Sequence, residues 1–414
     1  MDEVGRRYQA LALRIDRHLP GYVDFWTGPE ELREAIAAEE PAPPIELHVE
    51  AVALHEMASA LPAGTAAEER RREWLARQLR AMSATCRRLS GEEIAYADLV
   101  EVLFDVPAAM TPQADVQRAH ALLDDALPPG PDLRGRLAAH DAATSVPASV
   151  VVPAIADLAD RLRQRTLEDL GLPPGEGIDL VEVHDQPWAA YATYVGDFRT
   201  RIEINVDLPM TLFRIVQLAS HEAYPGHHAE RATKDAILVR DAGLGEAALA
   251  CDLTPEWAIT EGLGEICRGV VMADAELVVA LRGLVKRLDL PISPVDAERE
   301  VAVGWGRALL SDLWTDAGLL MHQHGLPESE VRSMLEDRGL RYGERLDREL
   351  RIVRDPATGI GAFAYATGRR LIEPWLATQG QTAGFSRLLR EQLTPGQLRA
   401  ELGEPRALYP GSLV

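Results

Sequence analysis

The chain runs to 414 residues, 47% of them hydrophobic and only 5% aromatic, enough to bury a large core in one domain or two lobes. A formal net charge of −22 argues against nucleic acid and anionic membrane surfaces as partners, because both are bound through basic patches. Cys86, Cys251 and Cys267, with no Cys-x-x-Cys, suggest neither a disulfide framework nor a thiolate zinc site; no apolar run nears the roughly 20 residues of a membrane span, and a cytoplasmic protein is expected.

Apolar positions at Tyr8, Leu11, Leu13 and Ile15 predict an amphipathic helix over 3–18, stopped by Pro20-Gly21. Tyr22–Glu30 reads as a turn leading into a helix, with Thr27 or Gly28 near its cap. Helical patterns follow over 46–60 and 66–89, then 91–105, 113–125 and 131–140, and together they make an N-terminal helical lobe. Ala142–Pro153, rich in Ser, Thr and Pro, is the expected junction, dividing the chain into 1–145 and 146–414 unless the two are continuous. A helix over 154–170 ends at Leu172-Pro-Pro-Gly-Glu-Gly177. Residues 178–206 then alternate, most cleanly at Thr200–Val206, and predict a small antiparallel sheet. From a helix starting near Pro209 the pattern is helical almost to the end, with breaks at 243–245, 290–291, 325–327, 355–356 and 394–396. The fold class expected is mainly α.

The chemistry is concentrated in 221–228, His-Glu-Ala-Tyr-Pro-Gly-His-His. Two histidines one helical turn apart can share a zinc ion, with an adjacent Glu placed to activate water. Here the spacing is too long. At about 100° per residue His227 falls on almost the opposite face from His221, and His228 lies roughly 10 Å further along the axis. Pro225, which lacks an N–H and would clash with the carbonyl of His221, and Gly226 predict a helix opened at 223–226. Absorbing two inserted residues restores the one-turn relation for His227, the favoured second ligand; His228 is the alternative ligand or a catalytic neighbour.

A hydrolytic zinc needs a third protein ligand and an open fourth position. Thr260-Glu261-Gly-Leu-Gly-Glu265 offers Glu261 as ligand and Glu265 as the group orienting an imidazole, with glycines that allow a close helix approach. Glu222 is the natural general base. Tyr365, in Tyr-Ala-Thr-Gly368-Arg369-Arg370, and His322 or His324 are candidate donors to a developing oxyanion.

The octapeptide resembles the His-Glu-x-x-Pro-Gly-His-His signature of the bacterial domain of unknown function 885. Pro20-Gly-Tyr-Val-Asp24 through Gly28-Pro29, Arg201-Ile-Glu-Ile-Asn205, Thr260-Glu261-Gly262 and Tyr365-x-x-Gly368 match further stretches in the same order. The resemblance implies a gluzincin-like helical cleft fold with zinc on the cleft floor and metallopeptidase-type hydrolysis. Leu263 stands where that family usually has an aromatic, and Asp316-Ala-Gly-Leu-Leu320 lacks a histidine the family often carries. The expected function is a zinc-dependent hydrolase of small peptides or peptide-like amides, with strand 200–206 available to pair with an extended substrate. The rivals are a zinc hydrolase of a non-peptide amide or ester, and a non-catalytic helical binding protein that retains the motif. Oligomeric state leaves no mark in the sequence.

Overall fold

The computed structural model describes residues 1–404. Helices dominate, as the periodicity predicts, and their ends follow local chemistry. The helix Glu3–Asp16 begins where the Asp2 carboxylate accepts the Gly5 N–H, and it buries Tyr8, Leu11 and Ile15. The helix Ala66–Leu89 opens on a reciprocal capping box between Thr65 and Glu68 and ends on Arg87 and Arg88, which oppose its terminal dipole. The helix expected from 154 begins earlier, at Ala148, and carries Pro153 inside it. There the proline ring removes one hydrogen bond to the carbonyl of Ser149 and the helix continues. No helix among the described residues is long and apolar enough to cross a membrane.

Seven short strands form three small sheets among the described residues. Strand β1 (Val23–Trp26) occupies the stretch expected to be a turn and pairs antiparallel with β7 (Leu249–Cys251), inside a region expected to be helical. Four residues and three residues are too few for a period-two signal, and each strand exists only through its distant partner. A second pair joins β2 (Ser145–Val146) to β6 (Met210–Thr211).

The third sheet contains β3 (Gly177–Val183), β4 (Ala190–Gly196) and β5 (Arg199–Asn205) in the order β3-β5-β4. The β4–β5 hairpin is antiparallel, as expected, and turns through Asp197 and Phe198, both at positive φ, the backbone that a tight hairpin turn of matching twist requires. The expectation of a wholly antiparallel sheet is corrected: β3 runs parallel to β5. Thr200, Ile202 and Ile204 are buried, which makes β5 the central strand, and residues 184–189 carry the chain over its end. A central strand has both edges taken, so the strand expected to receive an extended substrate is not free to do so; β4 is an edge strand.

The division at 145/146 does not divide the hydrophobic core. One cluster joins Leu99, Leu103 and Phe104 to Leu218, Leu263 and Phe363, and another joins Val116, Leu123 and Leu137 to Leu310, Leu313 and Val353. The strand pairs β1–β7 and β2–β6 cross the same boundary.

Candidate metal centre

The helix Leu212–Leu218, capped by the Thr211 hydroxyl on the Arg214 N–H, passes into a π-helical turn at Ala219–Ala223. The Tyr224–Pro225 peptide is cis, and a new helix, His227–Lys234, starts directly after Gly226. The opening therefore falls where Pro225 and Gly226 predict it. Gly226 is needed for closeness rather than for an unusual φ. Its N–H donates to the Ser220 carbonyl at 3.0 Å, and a Cβ there would lie 2.0 Å from the His221 carbonyl oxygen.

This break brings His227, and not His228, onto His221. The two rings stand nearly perpendicular with centroids 4.5 Å apart. Glu261 faces both, with one carboxylate oxygen 3.2 Å from His221 Nε2 and the other 3.7 Å from His227 Nε2. Ligand atoms of the three residues all lie within 4.8 Å of one another. Donors placed about 2.0–2.2 Å from a tetrahedral zinc stand roughly 3.4 Å apart, and two imidazoles with one carboxylate are a donor set that zinc favours. His227 Nδ1 is buried without a hydrogen-bond partner.

Glycine spacing sets the second wall. The helix Pro255–Ile266, capped by Thr254, carries Glu261, Gly262, Gly264 and Glu265. A Cβ on Gly264 would lie 2.6 Å from the His221 ring, so the imidazole lies directly against that backbone. Glu265 stands 3.5 Å from His221 Nδ1, beyond a well-formed hydrogen bond but within ion-pair reach, and accepts one from the Gln217 amide at 3.2 Å. Gly262 meets Gly368 so closely that a Cβ on the first would lie 2.7 Å from the backbone nitrogen of the second. That contact brings the helix Ala362–Thr367, with Tyr365, alongside Glu261, and the Tyr365 ring lies nearly parallel to that of His221 at 6.1 Å.

Glu222 and Tyr365 line one cavity with His221, His227 and Glu261. Burial pushes the Glu222 carboxyl above its ordinary range; Glu261 adds to this, while His221 and Arg214 oppose it. A raised carboxyl suits a general base working near neutral pH. Burial, then Glu261 and Glu222, push the Tyr365 phenol well above its usual value and keep it a neutral donor. Burial likewise lowers His227, helped by His221 and Arg231, which favours the neutral imidazole that binds metals. For His221 burial acts downward but the carboxylates of Glu261 and Glu265 outweigh it.

Other expectations are corrected. His228 is fully buried outside the cavity lining: its Nδ1 meets the Thr200 hydroxyl and its Nε2 meets Glu176, both at 2.8 Å, so both ring nitrogens are engaged away from His221 and Glu261. His322 bonds the Val353 carbonyl and packs on Tyr96, while His324 is exposed; neither lines the cavity. Arg369 and Arg370 are held by Asp312 and its neighbours. Asp24, Asp252, Arg231, Tyr191 and Trp257 also line the cavity, with no chemical motif in the sequence to mark them. Asp24 and Tyr191 lie on strands whose partners cannot be read locally, and Asp252 sits in no motif.

A scan against protein-family models finds no match, and a search of curated proteins finds none either. Solved structures do match. What is shared is the fold. A presumed lipoprotein from Colwellia psychrerythraea aligns over 90% of this chain and 72% of its own, with a TM-score of 0.54 at 15% identity. A presumed lipoprotein of unknown function from Shewanella oneidensis aligns over 90% and 76%, with a TM-score of 0.52 at 12% identity. Likeness at such identities carries the architecture and not the activity.

Proposed function

We propose that the protein is a zinc-dependent hydrolase of the metallopeptidase type, acting on small peptides or peptide-like amides. The observation that carries this reading is the grouping of His221, His227 and Glu261 in one cavity with Glu222 and Tyr365. Zinc held by the two imidazoles and Glu261 would supply Lewis acidity toward water and the scissile carbonyl. Glu222 takes the proton from the attacking water as its oxygen bonds to the carbonyl carbon, and later delivers that proton to the leaving nitrogen as the C–N bond breaks. Tyr365 donates its phenolic hydrogen to the carbonyl oxygen as negative charge develops there. Glu265, which accepts a hydrogen bond from Gln217, steadies the His221 ring. Ala190, Tyr191 and Ala192 of β4 line the cavity in succession, so an extended amide backbone can lie along that edge strand.

The cavity measures about 190 Å³, below the roughly 300–1,000 Å³ of a typical small-molecule pocket. That size favours a small amide over a long peptide. The test is elemental analysis joined to a peptide-cleavage screen. One zinc per chain is expected in the native protein, and much less in His221→Ala. Glu222→Gln should keep the zinc and lose about 10²–10⁴-fold in kcat. Equal and trace zinc in both native and His221→Ala protein would overturn the reading.

A further inference from the structure

Resting on the hydrolase reading above, we propose that Asp24 and Asp252 form a subsite for a primary ammonium group, so that the amide cleaved is one that carries a free amine beside the scissile bond. Asp24 reaches the cavity through a backbone irregularity. In the β1–β7 pair Val23 faces Cys251 and Phe25 faces Ala250, which leaves Asp24 as an extra residue with no counterpart. Such bulges re-aim a side chain, and this one lines the same cavity as the histidines. Asp252 follows β7 directly, its N–H donating to the Tyr22 carbonyl at 2.9 Å, and lines that cavity too.

Charge makes these two carboxylates unusual. The nearby cations are already committed: Lys234 pairs with Glu230 at 2.7 Å and with Glu256 at 3.1 Å, and Arg231 lies 3.6 Å from Glu256. Among the described residues neither Asp24 nor Asp252 has a cation within ion-pair distance, and the one side-chain hydrogen bond made to either is that of the Tyr191 hydroxyl to Asp24 at 2.7 Å. Burial pushes both carboxyls up, Asp252 well above its ordinary value; Glu261 adds to this at both and Asp24 adds to it at Asp252, while Arg231 opposes it at both and the Tyr191 hydroxyl at Asp24. A divalent ion at the histidines would be matched by Glu261 and Glu222, which leaves Asp24 and Asp252 only the share of the Arg231 charge that Glu230 and Glu256 do not take. A cationic ligand relieves that imbalance. The Tyr191 and Trp257 rings that line the same space add faces on which an ammonium rests favourably.

The ammonium can come from the amino end of a peptide or from a lysine-like side chain. Zinc-loaded protein would be given Ala-para-nitroanilide, acetyl-Ala-para-nitroanilide and acetyl-Lys-para-nitroanilide. Cleavage of the first about tenfold or more above the second assigns the α-amine, and the same excess for the third assigns the side chain. In Asp24→Asn and Asp252→Asn the preference should collapse. Equal cleavage of all three by the native protein overturns the subsite while leaving the hydrolase reading intact. If none is cleaved the hydrolase reading fails, and binding alone decides the subsite. Titration calorimetry should show native protein binding butylammonium in preference to butanol, weakened about tenfold in each variant. No preference in native protein, or an unchanged one in both variants, overturns the proposal.

Discussion

At Glu176 three donors meet one buried carboxylate: the Tyr224 hydroxyl, His228 Nε2 and the Arg163 guanidinium. Burial alone would raise this carboxyl, yet the three donors hold it down to about 2. A carboxyl depressed in the folded state stabilises the fold above its unfolded value of 4.5, and the contribution is lost as pH falls from there through about 2. Thermal melts of Glu176→Gln should therefore lie below native at neutral pH and converge with native toward pH 2. His228→Ala strips the same knot of a donor and should lower the melting temperature while elemental analysis still finds one zinc per chain. His227→Ala should do the opposite, losing zinc with a small change in stability. Such results would give two sequence neighbours separable roles, which the spacing of the octapeptide alone left open between them.

Among the elements, the helix Pro255–Ile266 holds the tightest tolerances. Gly264→Ala places a methyl against the His221 ring, and the imidazole must tilt from Glu261. Zinc affinity, measured by chelator competition, should fall about 10–100-fold, as for the loss of an orienting partner. The accompanying loss of stability should be about 1–3 kcal/mol, typical of an overpacked contact. Elements set by local rules were readable in advance. The helix Ala66–Leu89 announces both its ends, and Pro225-Gly226 announces the break that delivers His227. Elements set by distant partners were not: β1 and β7 carry no period of their own, and the parallel placement of β3 depends on which strand the core claims. The grouping of His221, His227 and Glu261 was legible because each residue lies on a helix with local signals. The acidic wall was hidden because Asp24 comes from a bulge that exists only once β7 is paired.

For the whole molecule, the interleaved cores make a cut at 145/146 costly. Expressed alone, residues 146–414 would leave β7 without its partner, cut β2 in two and expose Leu310, Leu313 and Val353. That fragment should show no cooperative melt by circular dichroism; a sharp transition near that of the full chain would contradict the shared core. The β1–β7 pairing also governs the order of assembly. During synthesis Asp24 leaves the ribosome long before Cys251 exists to receive its strand, and such distant closures come late in folding. Tyr365 emerges later still. A nascent chain that displays the complete His-Glu-x-x-Pro-Gly-His-His octapeptide consequently has no cleft wall around it. If the proposed hydrolysis holds, every partial product of translation would lack it until the first and last contributors to the cavity have met.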